Sequence, residues 1–549
     1  MANIFSIGQS ALSVAQAGVN TAGHNIANVN TAGYSRQTVV QVASQAGGQV
    51  MSNVSMGAQV AEVKRNYSSF LGKQLLSTQS QASQLEVQYG RTQQIDNLLA
   101  DSSVGLAPAM QDFFNSLQNV STAPGDSTLR QSVLFSAESV TTRFNDMGGQ
   151  LDEIRQGVNS QIESQVQELN AAAQHLVNLN QAIVGSRGPS GGQSNDLLDQ
   201  RDQLLRDLSK VVSISVTEQD DQVSVFIGNG QPLVAGTTAY QFKTQPSRTD
   251  SGRLEVAQDF GSQAGSPLSS QQSVGGALGG LLAFRDQVLE PAQNALGLVA
   301  LGLASSLNAQ QAQGYDQSGA AGKPLFDLPP VGVSPSSANQ GGASLGAELG
   351  DISKLTASDF TFRRTGDQYQ LLRSPDQQLV ASSANADEVL AASAEQGFTL
   401  QLSGALNAGD SFLIRPTANA ARGIGVALQD GRDLALASAQ TAAAGDSGNL
   451  RQMIALQNAK TMNGGTSSIQ STYGQLVGRI GSQTRELQLT SQSATQINAQ
   501  TETALQNASG VNLNEEAIDL MRYQQAYQAA GKVMQMAQQL FSTVLDMGR

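Results

Sequence analysis

His24 and His175 are the only imidazoles in 549 residues, and there is no cysteine. A zinc site of His and Cys is therefore excluded, as are thiol nucleophiles and disulfides. Neither histidine sits in His-Glu-x-x-His or another ligand spacing. His24 lies in an Asn-rich helix end and His175 on a Gln/Asn-rich helix face, so each reads as a surface or packing side chain. Asp196, Asp199 and Asp202 recur every three residues, and paired carboxylates can hydrolyse a glycosidic bond. Arg201 and Arg206 interleave them, which reads as ordinary pairing along a helix surface. Gly275-Gly276 and Gly279-Gly280 lack the Lys-Ser/Thr of a phosphate loop. No catalytic residue, metal or cofactor is expected.

The elements around these residues are mostly helical. Phe5, Gly8, Leu12, Ala15, Val19, Ala22, Ile26 and Val29 alternate steps of three and four, and Leu520, Tyr523, Tyr527, Ala530, Met534, Ala537, Phe541 and Val544 do the same at the other end. Both are heptad stripes. Helix-type patterning continues inward over 67–99, 113–120, 133–144, 151–184, 450–462 and 469–505. The centre changes character. Val211–Phe226 alternates like a hairpin around Gln-Asp-Asp, and Gly228-Asn-Gly-Gln-Pro is turn material. A helix returns over 277–312, broken or begun at Pro291. Phe360–Leu372 and Phe398–Ile414 read as strands, with turns at Gly366-Asp367 and Ala408-Gly409-Asp410.

The expected fold is mainly α with β inserts. Paired N- and C-terminal helices (1–60 plus 506–549) close onto a helical-bundle stem (61–210, 276–315 and 421–505), which carries β-rich inserts at 211–275 and 316–420.

Composition narrows the partners. The net charge of −13 and pI near 4.7 oppose binding to phosphate backbones and anionic membrane surfaces, so neither nucleic acid nor membrane is expected. Charged residues are only 14% of the chain. Its polarity is thus mostly neutral amide and hydroxyl, which packs against copies of itself at small desolvation cost. Met1–Gln16 has no Lys or Arg, so the positive region of a Sec signal is missing, and no apolar run is long enough to span a bilayer.

Two segments carry more information. After the first stripe, Asn28 and Asn30 tolerate left-handed backbone, Asn30–Gly33 suits a turn, and Tyr34, Arg36, Val39, Val40 and Val42 begin an extended run. By itself this is a helix stop. Before the last stripe, Asn512 or Asn514 suits an N-cap, with Glu515 and Glu516 in the first turn, where negative charge favours the helix dipole.

The residues Asn25, Ile26, Ala27, Asn28, Asn30, Gly33, Tyr34, Ser35 and Arg36 together resemble the signature of flagellar rod, hook and hook-associated axial proteins. The Gly-Tyr-Ser-Arg-Gln ending is similar to the hook-associated version; rod and hook proteins continue Gly-Tyr/Phe-Lys. Further similarity lies at Gly57–Leu71, Ser103–Phe114, Asn195–Leu205, Leu278–Arg285, Ser509–Ala517 and Tyr523–Tyr527. Ser68 and Asn514 stand where the family often has Asp, which leaves local capping open. The resemblance implies coaxial terminal helices lining an export channel, a stem outside them and β inserts facing outward. It implies a structural subunit of the extracellular flagellum at the hook–filament junction, with contacts to copies of itself, to hook protein and to hook-associated protein 3. It also implies type III export and a chaperone on the C-terminal helix.

The stripes support assembly independently. A helix must bury its apolar face. Phe5, Leu12, Ala15, Val19, Ala22 and Ile26 at one end, and Leu520, Tyr523, Tyr527, Met534, Phe541 and Val544 at the other, are the expected packing residues. Ile4, Ile7, Val14, Met521, Leu540 and Leu545 flank them beyond a two-helix seam, so neighbouring copies would cover the remainder. The alternatives are a distal rod or hook subunit, a hydrolase trimming peptidoglycan, and an adhesin using the β inserts.

Overall fold

The computed structural model describes residues 2–547 apart from 45–56, 102–104, 187–193, 220, 229, 262, 269–273, 375 and 442–444. The first stripe forms α1 (Ala2–Ala27). The chain then turns through Gly33, whose φ of +83° suits a residue without Cβ. It enters an antiparallel hairpin of β1 (Gln37–Ala43) and β2 (Ala58–Arg65), with a bulge at Val40/Gln41. Next comes α2 (Ser69–Leu99), capped by the Ser68 hydroxyl, which accepts from Leu71 N–H at 3.4 Å. It is followed by α3 (Leu106–Val120), α4 (Ser127–Gly185) and α5 (Asn195–Val211). The two helices expected over 133–144 and 151–184 are one. Asp126 caps α4 by accepting from Thr128 and Leu129 N–H, and at 1.5 Å per residue the rod is about 90 Å long. Ser103 and Val104 of the Ser103–Phe114 segment lie outside the described residues.

The first β insert is a meander, β3 (Ile214–Gln219), β4 (Gln222–Ile227), β5 (Gln231–Ala235) and β6 (Thr238–Ala239), followed by a three-stranded sheet, β7 (Phe242–Pro246), β8 (Leu254–Phe260) and β9 (Gln263–Leu268). The hairpin expected over 211–226 is β3–β4; Asp220 in its turn, and Asn229 in the next, lie outside the described residues. Three asparagines of α4 pin this insert to the stem. Asn159 bridges Gly252 O and Leu254 N, Asn170 bridges Phe242 N and O, and Asn180 bridges Val223 N and O. Each amide satisfies strand backbone that would otherwise be orphaned against a helix.

The helix expected over 277–312 is α6 (Gly276–Phe284) and α7 (Glu290–Gln311), joined by a five-residue π-turn, Arg285–Leu289. Pro291 does not break it. The proline stands in the first turn of α7, where the π register has already shifted the hydrogen-bond ladder and can absorb a missing N–H.

The second insert comprises β10 (Phe326–Asp327), β11 (Gly332–Pro335), β12 (Ser344–Leu349), β13 (Asp359–Thr365), β14 (Gln368–Ser374), β15 (Gln378–Ser383), α8 (Ala386–Ala392), β16 (Phe398–Ser403) and β17 (Ser411–Arg415). Its main sheet is antiparallel in the order β11-β17-β13-β14-β15. Phe360–Leu372 is the β13–β14 hairpin, but the two strands in Phe398–Ile414 separate: β16 pairs with β12, and β17 lies between β11 and β13. After α9 (Ala420–Gly423), β18 (Gly425–Val426) returns to pair with β10.

The chain closes with α10 (Gly448–Ala455), α11 (Ile469–Ser509) and α12 (Leu513–Met547). The helix expected to reach Met462 stops at Ala455. Met462 is instead buried against Gly302, where any Cβ would strike its thioether. α2 and α11 run antiparallel along the stem, tied by Thr78 to Asn498 and by Tyr473 O–H to Leu99 O at 2.8 Å.

The buried apolar core runs continuously from Ile95 to Ile480 through stem and inserts. Among the described residues it has no member in α1, β1, β2 or α12. The ends of the chain form a separate unit, α1 antiparallel to α12, and no helix of the described residues is long and apolar enough to cross a membrane.

Candidate assembly site

Small residues let the terminal helices approach. A Cβ on Gly8 would lie 3.0 Å from the Met534 thioether, and one on Gly18 would run into the Tyr523 ring. With Asn25 bonded to Glu516, these pairs fix the antiparallel register. Of the expected packing residues, Ala15 and Ala22 are buried in this seam. Leu12, Val19, Ile26, Leu520, Tyr523 and Met534 are half-buried, while Phe5, Tyr527, Phe541 and Val544 remain exposed.

α12 has a second apolar row. Ala526, Ala529, Val533, Met536, Leu540, Val544 and Met547 recur at three- and four-residue steps, offset from the row that faces α1, and Ile518 extends the row two turns earlier, beyond Arg522. Ile518, Met536, Leu540, Val544 and Met547 are all exposed. The remaining face carries Gln524, Gln528, Gln535 and Gln539. Helical spacing contains this signal, but reading α12 as a single stripe conceals it.

The joint between terminal pair and stem is polar, and the Asn25–Arg36 segment builds it. Asn25 is 1% exposed and uses its amide fully. Nδ2 donates to Gln37 O (2.9 Å) and Glu516 Oε2 (3.0 Å), while Oδ1 accepts from Gln37 N–H (2.9 Å) and Tyr34 O–H (2.7 Å). Since the phenol gives its proton to Asn25, His24 Nδ1, 2.9 Å away, donates to the phenol. Burial, then the charges of Asp196, Asp199 and Glu516, push the Tyr34 pKa upward and keep it a neutral donor. Arg36 reaches the first turn of α12 and donates to Glu516 (2.6 Å), Glu515 (2.9 Å) and Asp519 (3.3 Å). Burial acts to lower its pKa, but the Glu516 hydrogen bond and the three carboxylate charges outweigh it and raise it. Its backbone N–H donates to Ser509 O, locking the loop between α11 and α12. Asn28 and Thr31 close the turn after α1, whereas Ala27 and Asn30 face solvent. Asn512 is the cap of α12, since its side chain accepts from Asn514 N–H.

The aspartate row of α5 differs from the sequence expectation. Asp199 and Asp202 are buried rather than paired along a helix surface. Both accept from Arg65 Nη1, at 2.9 and 2.6 Å, and Asp199 also accepts from Ser35 N–H. Arg201 turns away to Glu218, and Arg206 donates to Gln203. Pairing along the helix failed as an expectation because this face is covered by β2, whose Arg65 stacks 4.5 Å from the Tyr67 ring centre. Burial raises the Asp202 pKa despite Arg65, and Asp202 in turn holds Arg65 above its usual range against its own burial. Arg65, with the Ser35 amide on Asp199, thus occupies the carboxylates that could have done acid–base work. His24 and His175 line one cleft of about 760 Å³ beside the joint, with Asp196 and Asp207. Among the described residues no group of three or more His, Asp or Glu is placed to hold a metal.

Family models place this chain in a single setting. Residues 92–326 match the flagellar hook-associated protein FlgK helical domain, and 333–416 match the flagellar hook-associated protein 1 D2-like domain. Residues 504–547 match the flagellar basal body rod FlgEFG protein C-terminal model, and 5–34 match the flagella basal body rod protein model. Flagellar hook-associated protein 1 of Escherichia coli K12 is 33% identical over the full length of both chains. That of Salmonella typhimurium is 35% identical over 85% of this chain and 86% of its own. The solved flagellar hook junction protein FlgK from Burkholderia pseudomallei superposes with a TM-score of 0.73 at 26% identity, covering 79% of this chain and 99% of that one. The chain belongs to the flagellar hook-associated protein 1 family, the structural proteins of the flagellar hook–filament junction.

Proposed function

We propose that the terminal pair is the part of the subunit that polymerises, and that copies packed through it form the inner wall of the junction. The carrying observation is the exposed second row of α12. A two-helix unit offers only one partner face to each helix, so a second apolar row on α12 awaits cover from another molecule. On this reading Phe5, Leu12, Ala15, Val19, Ala22 and Ile26, with Leu520, Tyr523, Tyr527, Met534, Phe541 and Val544, are the packing residues. The Asn25–Arg36 segment is the joint that sets the angle between inner wall and stem.

The chain divides functionally into the terminal unit (1–60 and 506–549), the stem (61–210, 276–315 and 421–505) and inserts at 211–275 and 316–420, which face outward. Hook protein lies below and hook-associated protein 3 above. The subunit leaves the cell through the flagellar type III apparatus, with a chaperone holding α12 until export. It works without catalysis, in keeping with the occupation of Asp199 and Asp202 by Arg65.

The test is a deletion strain complemented with the wild-type chain or with Leu540→Asp. The deletion is expected to give hooks without filaments and flagellin in the medium, and Leu540→Asp to behave like it while the purified variant keeps its wild-type circular dichroism. Normal filaments in the deletion strain would overturn the assignment, and cell-wall hydrolysis by the purified chain would overturn its non-catalytic part.

A further inference from the structure

We propose that the second apolar row of α12 is an oxidation-sensitive face, where hydroperoxides convert Met536 and Met547 of the free subunit to sulfoxides and so block the docking of a second copy. The inference rests on the assembly role argued above. Of the eleven methionines, four lie in the 35 residues of α12. Their surroundings sort them. Met110, Met453 and Met462 of the stem are fully buried. Met534 is covered by α1 at Gly8. Met521, Met536 and Met547 are 55%, 55% and 77% exposed. With no cysteine in the chain, no thiol is present to react first, and among the described residues these thioethers are the most accessible soft nucleophiles.

In the reaction the sulfur lone pair attacks one peroxide oxygen. An S–O bond forms as the O–O bond breaks, and the departing hydroxide takes up the remaining proton as water. Sulfur loses two electrons and the peroxide gains them. The product is a flexible apolar side chain turned into a polar one. Met536 stands among Val533, Leu540 and Val544 in the row, so docking would strip water from the new S=O beside these hydrocarbon side chains, which costs free energy. Met521, expected from the spacing to be covered by a neighbouring copy, is equally exposed but lies off the row, toward the glutamine face, and serves as an internal control.

The experiment treats the purified full-length chain with dilute hydrogen peroxide, maps oxidised peptides by mass spectrometry, and measures incorporation of the chain onto hooks that lack it. Met521, Met536 and Met547 are expected to gain oxygen on the order of tenfold faster than Met110, Met453 and Met462, following exposure. Incorporation of the treated wild type should fall by a similar factor and recover with methionine sulfoxide reductase. The Met536→Leu/Met547→Leu chain should incorporate undiminished after peroxide, and Met521→Leu should give no protection. Undiminished incorporation of the oxidised wild type, or an equal loss in the Met536→Leu/Met547→Leu chain, overturns the proposal. Untreated Leu540→Asp separates the two readings: if it incorporates normally, the assembly role itself fails, whatever peroxide does.

Discussion

The terminal pair and the mid-stem are both helical, yet they are held together by opposite means. α1 contains no Asp, Glu, Lys or Arg, and its seam with α12 is made of glycine, alanine and half-covered larger side chains. The mid-stem is sealed by apolar burial and then crossed by a charge network. Arg422 meets Asp152, Arg155 meets Asp152 and Asp250, and Arg415 meets Asp250 and Asp359. Beside them Arg253 joins Asp286 and Glu290, and Arg285 joins Asp286. These groups come from α4, both β inserts, the π-turn, the start of α7 and α9, so the network ties six parts of the chain together. The stem is complete within one molecule, whereas on the reading proposed above the terminal pair is completed by another.

The largest effect that would sharpen this contrast lies in the stem. Phe113→Ala removes a fully buried ring of the core and should cost about 3–5 kcal/mol, seen in chemical denaturation. Leu540→Asp, on the exposed row, should leave that denaturation curve in place. Equal destabilisation by the two would erase the distinction.

Next comes the joint. Arg65→Met strands two buried carboxylates, and breaking such a pair costs about 3–5 kcal/mol locally. Hydrogen exchange should rise in residues 2–43 and 513–530 while α3 and α4 stay protected. A uniform rise would mean that joint and stem unfold as one unit.

A third effect is set by pH. Burial pushes the Asp359 carboxyl up to about 6 against the opposing pull of Arg415. A folded-state pKa above the unfolded one means that the native state binds the proton more tightly. The associated stability is therefore full below about pH 4 and is lost as pH rises through about 6. Asp359→Asn should flatten the stability profile of the second insert between pH 4 and 7. A profile that still falls over that range would show another group to be responsible.

The smallest effect concerns Gly531, which has open space where a Cβ would stand. Gly531→Ala should stabilise α12 by about 1 kcal/mol through helix propensity, raising the helical content of the isolated subunit. A loss of filament assembly in the same variant would mark this spot as a close approach of a neighbouring copy. Limited proteolysis bears on the same contrast: the terminal ~40 residues at each end should be cut before the stem, as weakly docked ends are. Their survival would refute the idea that they await a partner.

Much of this was legible in the residues. Heptad spacing located α1 and α12, and alternation found β3–β4 and β13–β14, because those signals are local. The partners of the motif were not legible. Arg65 meets Asp199 and Asp202 across more than 130 positions, and nothing in the spacing of the aspartates distinguishes a covered helix face from a wet one. Asn159, Asn170 and Asn180 looked like ordinary polar positions of a Gln-rich helix, since their role is to satisfy strands that follow α4 in the chain. The second row of α12 was visible in the spacing, and only the seating of α1 on the other row showed it to be uncovered.

The π-turn at Arg285–Leu289 acts as a phase shifter. It winds one more residue into a turn than an α-helix does, so all of α7 is rotated by about 100° from where an unbroken helix would put it. α7 is apolar on almost every side and gains little from one rotation over another on hydrophobic grounds. Its azimuth is read instead by its amides: Asn294 facing Thr417, Asn308 gripping Leu325 and Phe326, and Gln311 reaching Asp433 O. Those amides meet the second insert and the segment returning from it, so a single extra residue upstream aims that whole part of the molecule.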